Sequence, residues 1–239
     1  MQNPPHPARP AVTVLTKWPD GGPVKTRLAR VVGTRLAAEL QLAFLKDVLA
    51  HLAPLAREHI DLILSLERLA GDPADFGAGP EYQIELQGGG DLGARMARSF
   101  RRRLIREGRP YAVLMGSDLP TLPCAPVRQA LHALRQVPMV LGPTGDGGYY
   151  LVGLTRPVPA LFRGIPWSTA KVQKATLQAA QTAGVPLKLV QAWDDIDTPA
   201  DLARLRQQLS AHPRAAPHTA RILLDSRLDS ESDSSLSLL

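Results

Sequence analysis

The 239-residue sequence lacks several features that define functional classes on their own. It contains one cysteine, Cys124, which excludes an intrachain disulfide and a zinc site built from several thiolates. No apolar run approaches the roughly 18 residues of a membrane span, and residues 1–10 are rich in proline without the apolar core of a signal peptide. We therefore expect a cytoplasmic protein that does not bind a membrane.

Two common enzyme motifs are also missing. Lys25-Thr26 resembles the end of the nucleoside-triphosphatase motif G-x-x-x-x-G-K-[ST], but Pro23-Val24 precedes it, so the match is partial. Ser117 lacks the G-x-S-x-G context of a hydrolase nucleophile. These absences argue against both enzyme classes.

Positive charge is concentrated in one arginine-rich run between residues 95 and 109, within a chain of net charge +6. A solvated helix face explains this run, because Met96, Phe100 and Leu104 share one side of a helix and leave most arginines on the other. Nucleic acid is not an expected partner, since the one aromatic residue of the run, Phe100, lies on its apolar side and no recognition module is present.

Apolar segments and amphipathic segments alternate along the chain. Strands are predicted at residues 11–16, 60–66, 82–86, 111–115, 139–141, 149–154 and 187–190. Helices are predicted at residues 34–52, 93–107, 123–135, 169–183 and 199–209. This alternation predicts an α/β fold with a mixed, mainly parallel sheet covered by helices on both faces. We expect a flexible segment at 1–10, one domain at 11–210 and a disordered or loosely docked tail at 211–239.

A candidate phosphate site follows the first predicted strand. Gly22 belongs to a Gly-Gly turn that can bring backbone amides close to a ligand, and Lys17, Lys25 and Arg27 flank it. Amides and cations both favour phosphate oxygens, so this segment predicts an anion-binding loop.

Acidic residues follow two further predicted strands. Asp118 ends the segment after residues 111–115, and Asp195 and Asp197 follow the last strand. The carboxyl ends of strands in open α/β sheets bind ligands, and Mg²⁺ prefers carboxylate oxygens. Asp118 is equally consistent with a turn before Pro120, and the later pair with a helix N-terminus that favours acidic residues.

Two glycine-rich segments are weaker candidates for ligand contact. Residues 142–150 join two predicted strands, where a hairpin turn explains Gly147 and Gly148 almost as well as a binding loop does. Residues 87–93 precede a predicted helix, whose free amides could receive a base edge or an anion.

Taken in order, six sequence blocks closely resemble the rSAM/selenodomain-associated transferase 1 family, which is described as a glycosyltransferase family. The blocks are Lys25-Thr26-Arg27-Leu28, residues 90–96, residues 116–120, residues 146–150, residues 165–169 and residues 195–198. The resemblance extends from about Val12 to Leu205. It implies the Rossmann-like nucleotide-diphospho-sugar transferase (GT-A) fold and a similarity to the guanylyltransferases of molybdenum cofactor and 2-phospho-L-lactate metabolism.

The resemblance also implies a role for each block. The nucleotide-binding residues would be Lys17, Gly22, Lys25, Thr26, Arg27, Gln87, Gly90, Asp91, Leu92, Gly93, Arg95 and Ser117. The metal ligands would be Asp118, Asp195 and Asp197, and the acceptor-binding residues Asp146, Gly147, Gly148, Trp167, Ser168 and Thr169. Lys25, Arg27 and Asp118 would be the catalytic residues.

The sequence therefore predicts a transferase that depends on Mg²⁺ or Mn²⁺ and uses a nucleoside triphosphate or a nucleotide sugar as donor, with a small acceptor. Ser117-Asp118 stands where sugar-transferring members of the fold usually carry D-x-D, so nucleotidyl transfer stays fully open beside sugar transfer. A non-catalytic nucleotide-binding module of the same fold is the alternative. The sequence assigns no oligomeric state.

Overall fold

A computed structural model describes residues 8–19 and 25–225 of the protein. These residues form seven strands and seven α-helices, joined by loops and short helical turns. The strands are β1 (Ala11–Thr16), β2 (Asp61–Leu66), β3 (Tyr82–Leu86), β4 (Ala112–Gly116), β5 (Met139–Pro143), β6 (Tyr149–Leu154) and β7 (Leu187–Leu189). The helices are α1 (Thr26–Val32), α2 (Thr34–Leu52), α3 (Leu92–Arg101), α4 (Cys124–Ala133), α5 (Val172–Thr182), α6 (Pro199–Ala211) and α7 (Pro217–Leu223). Every predicted strand and helix is present with ends that differ by a few residues, except that the helix predicted at 93–107 is α-helical only to Arg101 and continues as a π-helical turn at 102–106. The helices α1 and α7 are not predicted.

The strands form one sheet in the order β3-β2-β1-β4-β6-β5-β7. Only β6 runs antiparallel to its neighbours β4 and β5, and the other pairs are parallel. The chain moves outward from β1 to β3 and then returns to place β4 on the other side of β1. This reversal creates a crevice at the carboxyl ends of β1 and β4, where open α/β sheets bind ligands.

Helices cover both faces of the sheet, because the central strands are apolar on both sides. α2 and α4 pack on one face through residues such as Leu45 and Val127, and α3 and the end of α5 pack on the other through Phe100 and Ala180. The predicted fold class, a single α/β domain with a mixed and mostly parallel sheet, is confirmed.

A third apolar cluster shows that the described part of the predicted tail, which the sequence indicates to be disordered or loosely docked from residue 211, packs on the domain as a helix. α7 buries Ala220 and Leu223 against Leu40 and Phe44 of α2, and α6 contributes Leu205 to the same cluster. The helical period of this short segment is obscured by its prolines, which is why the sequence suggested disorder. The predicted tail beyond residue 225 and most of the predicted N-terminal segment lie outside the described residues.

None of the helices in the described ranges combines the length and the apolar composition that a membrane span requires.

Candidate functional site

A cavity of about 920 Å³ opens at the carboxyl ends of β1 and β4. Fifteen residues of the predicted site line it: Lys17, Lys25, Arg27, Gln87, Leu92, Arg95, Ser117, Asp118, Asp146, Gly148, Trp167, Ser168, Thr169, Asp195 and Asp197. The sequence blocks that were predicted to form one site therefore meet at the edge of the sheet where the strand order reverses.

Lys25 lies between two of the predicted metal ligands. Its Nζ is 2.6 Å from Asp118 Oδ2 and 2.8 Å from Asp197 Oδ1, and it donates a hydrogen bond of 2.6 Å to the carbonyl oxygen of Ile196. Burial disfavours the charged ammonium, but the attraction of Asp118 and then of Asp197 outweighs it, so the pKa of Lys25 lies above its ordinary value. The ammonium is therefore held in its charged form.

Asp195 faces the same cavity in an environment that disfavours its charge. Burial contributes most, followed by the negative charges of Asp197 and Asp146, and together they raise the pKa of Asp195 to about 7 although Lys25 acts in the opposite direction. Within the described ranges, no group of three or more His, Cys, Asp or Glu side chains is arranged to hold a metal ion. The carboxylates thus share a wall without forming a ligand cluster.

Hydrogen bonds fix the end of β4 against its neighbours. Gln41 of α2 donates from Nε2 to Ser117 Oγ at 3.2 Å, and Ser117 Oγ donates to Thr16 Oγ1 at 3.0 Å. The carbonyl oxygen of Asp118 accepts a hydrogen bond from the amide of Ile196 at 3.0 Å. That bond brings the segment around Asp197 beside β4, although the two are far apart in the sequence.

The loop between β3 and α3 is held by the side chain of its own residue Gln87 and by Arg95 of α3. Gln87 is buried and donates from Nε2 to the carbonyl oxygens of Thr16 and Ser65, at 2.9 and 2.7 Å. Arg95 donates to Gln87 Oε1 at 3.2 Å and to the carbonyl oxygen of Gly90 at 3.0 Å. The side chain of Gln87 therefore ties the loop to β1 and β2.

Three predicted nucleotide-binding residues of this loop are not among those that line the cavity. Asp91 caps α3 by accepting a hydrogen bond of 2.7 Å from the amide of Ala94, and Gly90 adopts a positive φ of 99°. Gly93 lies inside α3, where a Cβ would come within 2.4 Å of the carbonyl oxygen of Phe162. Gly88, Gly90 and Gly93 also have the spacing G-x-G-x-x-G between a strand and a helix, a signal for phosphate-binding loops.

The predicted acceptor side consists of two loops that pack tightly together. Asp146 Oδ1 accepts hydrogen bonds from Thr144 Oγ1 at 2.5 Å and from the amide of Gly148 at 3.0 Å. Gly147 has a φ of 88°, and a Cβ there would lie 2.3 Å from the carbonyl oxygen of Ala170. Only glycine allows this close approach, so Gly147 lets the two loops pack against each other. Gly147 is not among the residues that line the cavity.

Aromatic and strained residues occupy the second of these loops. The rings of Trp167 and Tyr149 meet edge to face with centroids 6.4 Å apart. Ser168 has a positive φ of 62°, a conformation that is uncommon for residues other than glycine and is concentrated at functional sites. Trp167 and Ser168 both line the cavity.

The predicted site and the residues that line the cavity do not coincide completely. Gly22 lies outside the described residues, and Thr26 is the first residue of α1. The unpredicted lining includes Thr16, Gln41, Thr144 and Tyr149. Thr144 and Tyr149 are in a glycine-rich segment that the sequence singles out, whereas nothing in the sequence connects Gln41 to this site.

Comparison with known proteins relates the chain to one bacterial family. The family model described as "Uncharacterized protein conserved in bacteria (DUF2064)" matches residues 49–169. A crystal structure from Desulfovibrio desulfuricans G20, named "putative nucleotide-diphospho-sugar transferase", is 34% identical, with a TM-score of 0.79 over 93% of this chain and 97% of that one.

A more distant structure shares the fold alone. The 4-diphosphocytidyl-2C-methyl-D-erythritol synthase of Anaerococcus prevotii DSM 20548 is 10% identical, with a TM-score of 0.53 over 84% of this chain and 98% of that one. No curated protein matches the chain. The fold is that of the nucleotide-diphospho-sugar transferases, and the chain belongs to the DUF2064 family of bacterial proteins.

Proposed function

We propose that this protein is a transferase that takes a nucleotide-activated donor and passes a nucleotidyl or a glycosyl group to a small acceptor. One observation carries the proposal: basic side chains, carboxylates and a glycine-rich loop line the same cavity at the carboxyl ends of β1 and β4. The six sequence blocks also support membership of the rSAM/selenodomain-associated transferase 1 family. The similarity to the Desulfovibrio protein supports the same class of donor.

The donor phosphates are assigned to the basic side of the cavity. Lys17, Lys25 and Arg27 line it, and phosphate oxygens are the natural partners of such cations. The loop from Gln87 to Arg95 lies on the adjoining wall, so we assign the nucleoside to it. The segments around Asp146 and Trp167 then remain for the acceptor.

A divalent cation is implied by the fold family, and the chemistry of the cavity suits one. Asp118, Asp195 and Asp197 supply carboxylate oxygens, which Mg²⁺ and Mn²⁺ prefer, and the pKa of Asp195 is raised first by burial and then by the negative charges of Asp197 and Asp146, which a cation would offset. These three residues do not form a ligand cluster while Lys25 pairs with Asp118 and Asp197, so they would have to converge to hold the ion, which would supply charge neutralisation at the donor phosphates.

The residues of the chain would act mainly by positioning and by electrostatics. Lys25 and Arg27 would oppose the charge that develops on the departing pyrophosphate or nucleoside diphosphate, and no covalent intermediate with the protein is required. In nucleotidyl transfer the acceptor oxygen attacks the α-phosphorus as the bond to pyrophosphate breaks. In glycosyl transfer it attacks the sugar carbon as the bond to the nucleoside diphosphate breaks.

Phosphorus NMR separates these reactions in one experiment. The protein is incubated with Mg²⁺, candidate acceptors and each nucleoside triphosphate or nucleotide sugar in turn. Pyrophosphate as product identifies nucleotidyl transfer, and nucleoside diphosphate identifies glycosyl transfer. Asp118→Asn should abolish turnover, whereas Asp75→Asn, at an exposed position away from the cavity, should preserve it.

Failure would also be clear from the same samples. Donor binding without product across the panel would favour the non-catalytic nucleotide-binding module. Absence of both binding and product would contradict the proposed function.

A further inference from the structure

The ammonium of Lys25 has a complete set of hydrogen-bond acceptors. It contacts Asp118 Oδ2, Asp197 Oδ1 and the carbonyl oxygen of Ile196, all within 2.8 Å. An ammonium has three N–H donors, so these three oxygens satisfy it fully. The side chain is only 3% exposed, while those of Asp118 and Asp197 are 33% and 42% exposed. The lysine is thus the inner partner and the carboxylates face the cavity.

These contacts resemble those of a bound cation. A carboxylate oxygen from the end of β4, a second from the segment before α6 and one backbone carbonyl converge on a single positive charge. Asp118 and Asp197 are two of the three side chains that the proposed function assigns to a divalent cation. An ammonium and a metal ion repel each other, so they compete for the same oxygens.

The backbone of Lys25 indicates that this arrangement carries a conformational cost. The residue has φ 49° and ψ 44°, in the left-handed region that side chains other than glycine, asparagine and aspartate rarely adopt. It stands immediately before α1, and its side chain provides no cap for that helix. The ion pairs with Asp118 and Asp197 are the contacts that can offset the unfavourable backbone geometry.

We infer that Lys25 is a built-in counter-ion that occupies the place of the divalent cation until a phosphate-bearing ligand offers it a different anionic partner. This inference rests on the proposed function for the identity of the ligand. When Lys25 moves to the phosphates, Asp118 and Asp197 become free for the metal. Cation and donor therefore bind with positive coupling, and the free protein binds divalent cations weakly.

The test measures Mn²⁺ binding in the absence of any nucleotide. Free Mn²⁺ is followed by electron paramagnetic resonance in the wild type and in Lys25→Met, which keeps an unbranched side chain one atom shorter and removes its charge. We expect the variant to bind Mn²⁺ at least about tenfold more tightly, because a competing charge has been removed and two carboxylates are left unpaired. Lys188→Met, at an exposed lysine of β7, should leave the affinity unchanged.

A double variant identifies the site of the tighter binding. Adding Asp118→Asn to Lys25→Met should abolish the gain, since the oxygen released by Lys25 is then no longer a carboxylate. Equal or weaker Mn²⁺ binding by Lys25→Met, or a gain that survives Asp118→Asn, would overturn the inference.

The wild type provides a second measurement that does not depend on the folding of any variant. Mn²⁺ should bind with millimolar affinity or weaker when alone, and a phosphate ligand should lower the Mn²⁺ concentration required. Inorganic triphosphate is the probe, and its own chelation of Mn²⁺ is measured without protein and subtracted. Micromolar binding of Mn²⁺ alone would overturn the inference.

The nucleotide-free titrations remain informative if no donor is ever found. If Lys25→Met binds Mn²⁺ more tightly than the wild type but the wild type shows no turnover, the counter-ion inference is supported and the proposed function is contradicted. If the wild type shows turnover but Lys25→Met binds Mn²⁺ no more tightly than the wild type, the proposed function is supported and the counter-ion inference is contradicted.

Discussion

Arg98 Nη2 donates a hydrogen bond of 2.8 Å to the carbonyl oxygen of Gly89, in the loop that precedes the helix carrying the arginine. Its Nη1 donates to the carbonyl oxygen of Gln87 at 2.7 Å. Both carbonyls are thus turned toward the guanidinium. These two hydrogen bonds hold the loop between β3 and α3, which forms the wall of the cavity to which we assign the nucleoside.

Replacing Arg98 by lysine should weaken nucleotide binding without weakening pyrophosphate binding. Lysine keeps the charge but loses the planar two-point donor, which costs about 1 to 2 kcal/mol and therefore roughly tenfold in affinity. Isothermal titration calorimetry with both ligands provides the comparison. Arg101→Lys, at an exposed position three residues along the same helix, serves as the matched control. An equal loss for both ligands would show that Arg98 acts through charge alone.

Gly93→Ala should destabilise the protein although alanine normally favours a helix. A Cβ at this position would lie 2.4 Å from the carbonyl oxygen of Phe162 and 2.9 Å from Trp167 Nε1. The backbone must shift to relieve this overlap, and we expect a loss of about 1 to 3 kcal/mol in the free energy of unfolding. Urea denaturation measures it, with Gly89→Ala as control because a Cβ there meets nothing within 4 Å. Equal stabilities would contradict the packing role.

The fold could be predicted because strand and helix patterns are local, whereas the contacts that complete the site join distant parts of the chain. Strand ends at Asp118 and Asp197 pointed to one edge of the sheet. The ion pair between Lys25 and Asp197 joins residues 172 positions apart, and no periodicity reveals such a pair. Gln41 is likewise an ordinary polar helix residue until the fold places it beside Ser117.

The arginine-rich run at residues 95–109 also contains a contact that the sequence pattern does not predict. Most of them are exposed as the helical pattern predicts, but the side chain of Arg103 is only 2% exposed and pairs with Glu85 and Glu107. A π-helical turn at residues 102–106 follows α3 and changes which side chains point inward. Helical periodicity cannot anticipate this shift, because it assumes one constant turn angle.

Asp195→Asn should stabilise the metal-free protein at alkaline pH and have less effect under acid conditions. Because the pKa of Asp195 is raised to about 7, the folded state binds its proton more tightly than the unfolded state, whose carboxyl titrates near 4. The stability that the neutral carboxyl contributes is complete below about pH 4 and is lost as the pH rises through 7. At pH 8 the variant should therefore gain about 1 to 3 kcal/mol over the wild type, after allowance for solvent screening. Urea denaturation in EDTA at pH 4.5 and 8 measures the difference; a gain independent of pH would contradict it.

Asp47 should be essential for the packing of α7. This carboxylate is fully buried and accepts hydrogen bonds from the amides of His218 and Thr219, at 3.0 and 2.9 Å, and from Thr219 Oγ1 at 2.6 Å. Asp47→Asn replaces one acceptor oxygen by an NH₂ group that faces these donors, so we expect a loss of about 2 to 3 kcal/mol in urea denaturation and faster hydrogen exchange in α7. Glu39→Gln removes only the exposed pair with Arg35 on the same helix and should cost less than about 0.5 kcal/mol. The assignment of α7 to the folded domain would be contradicted if the α7 amides exchanged rapidly in the wild type and Asp47→Asn left the free energy of unfolding unchanged.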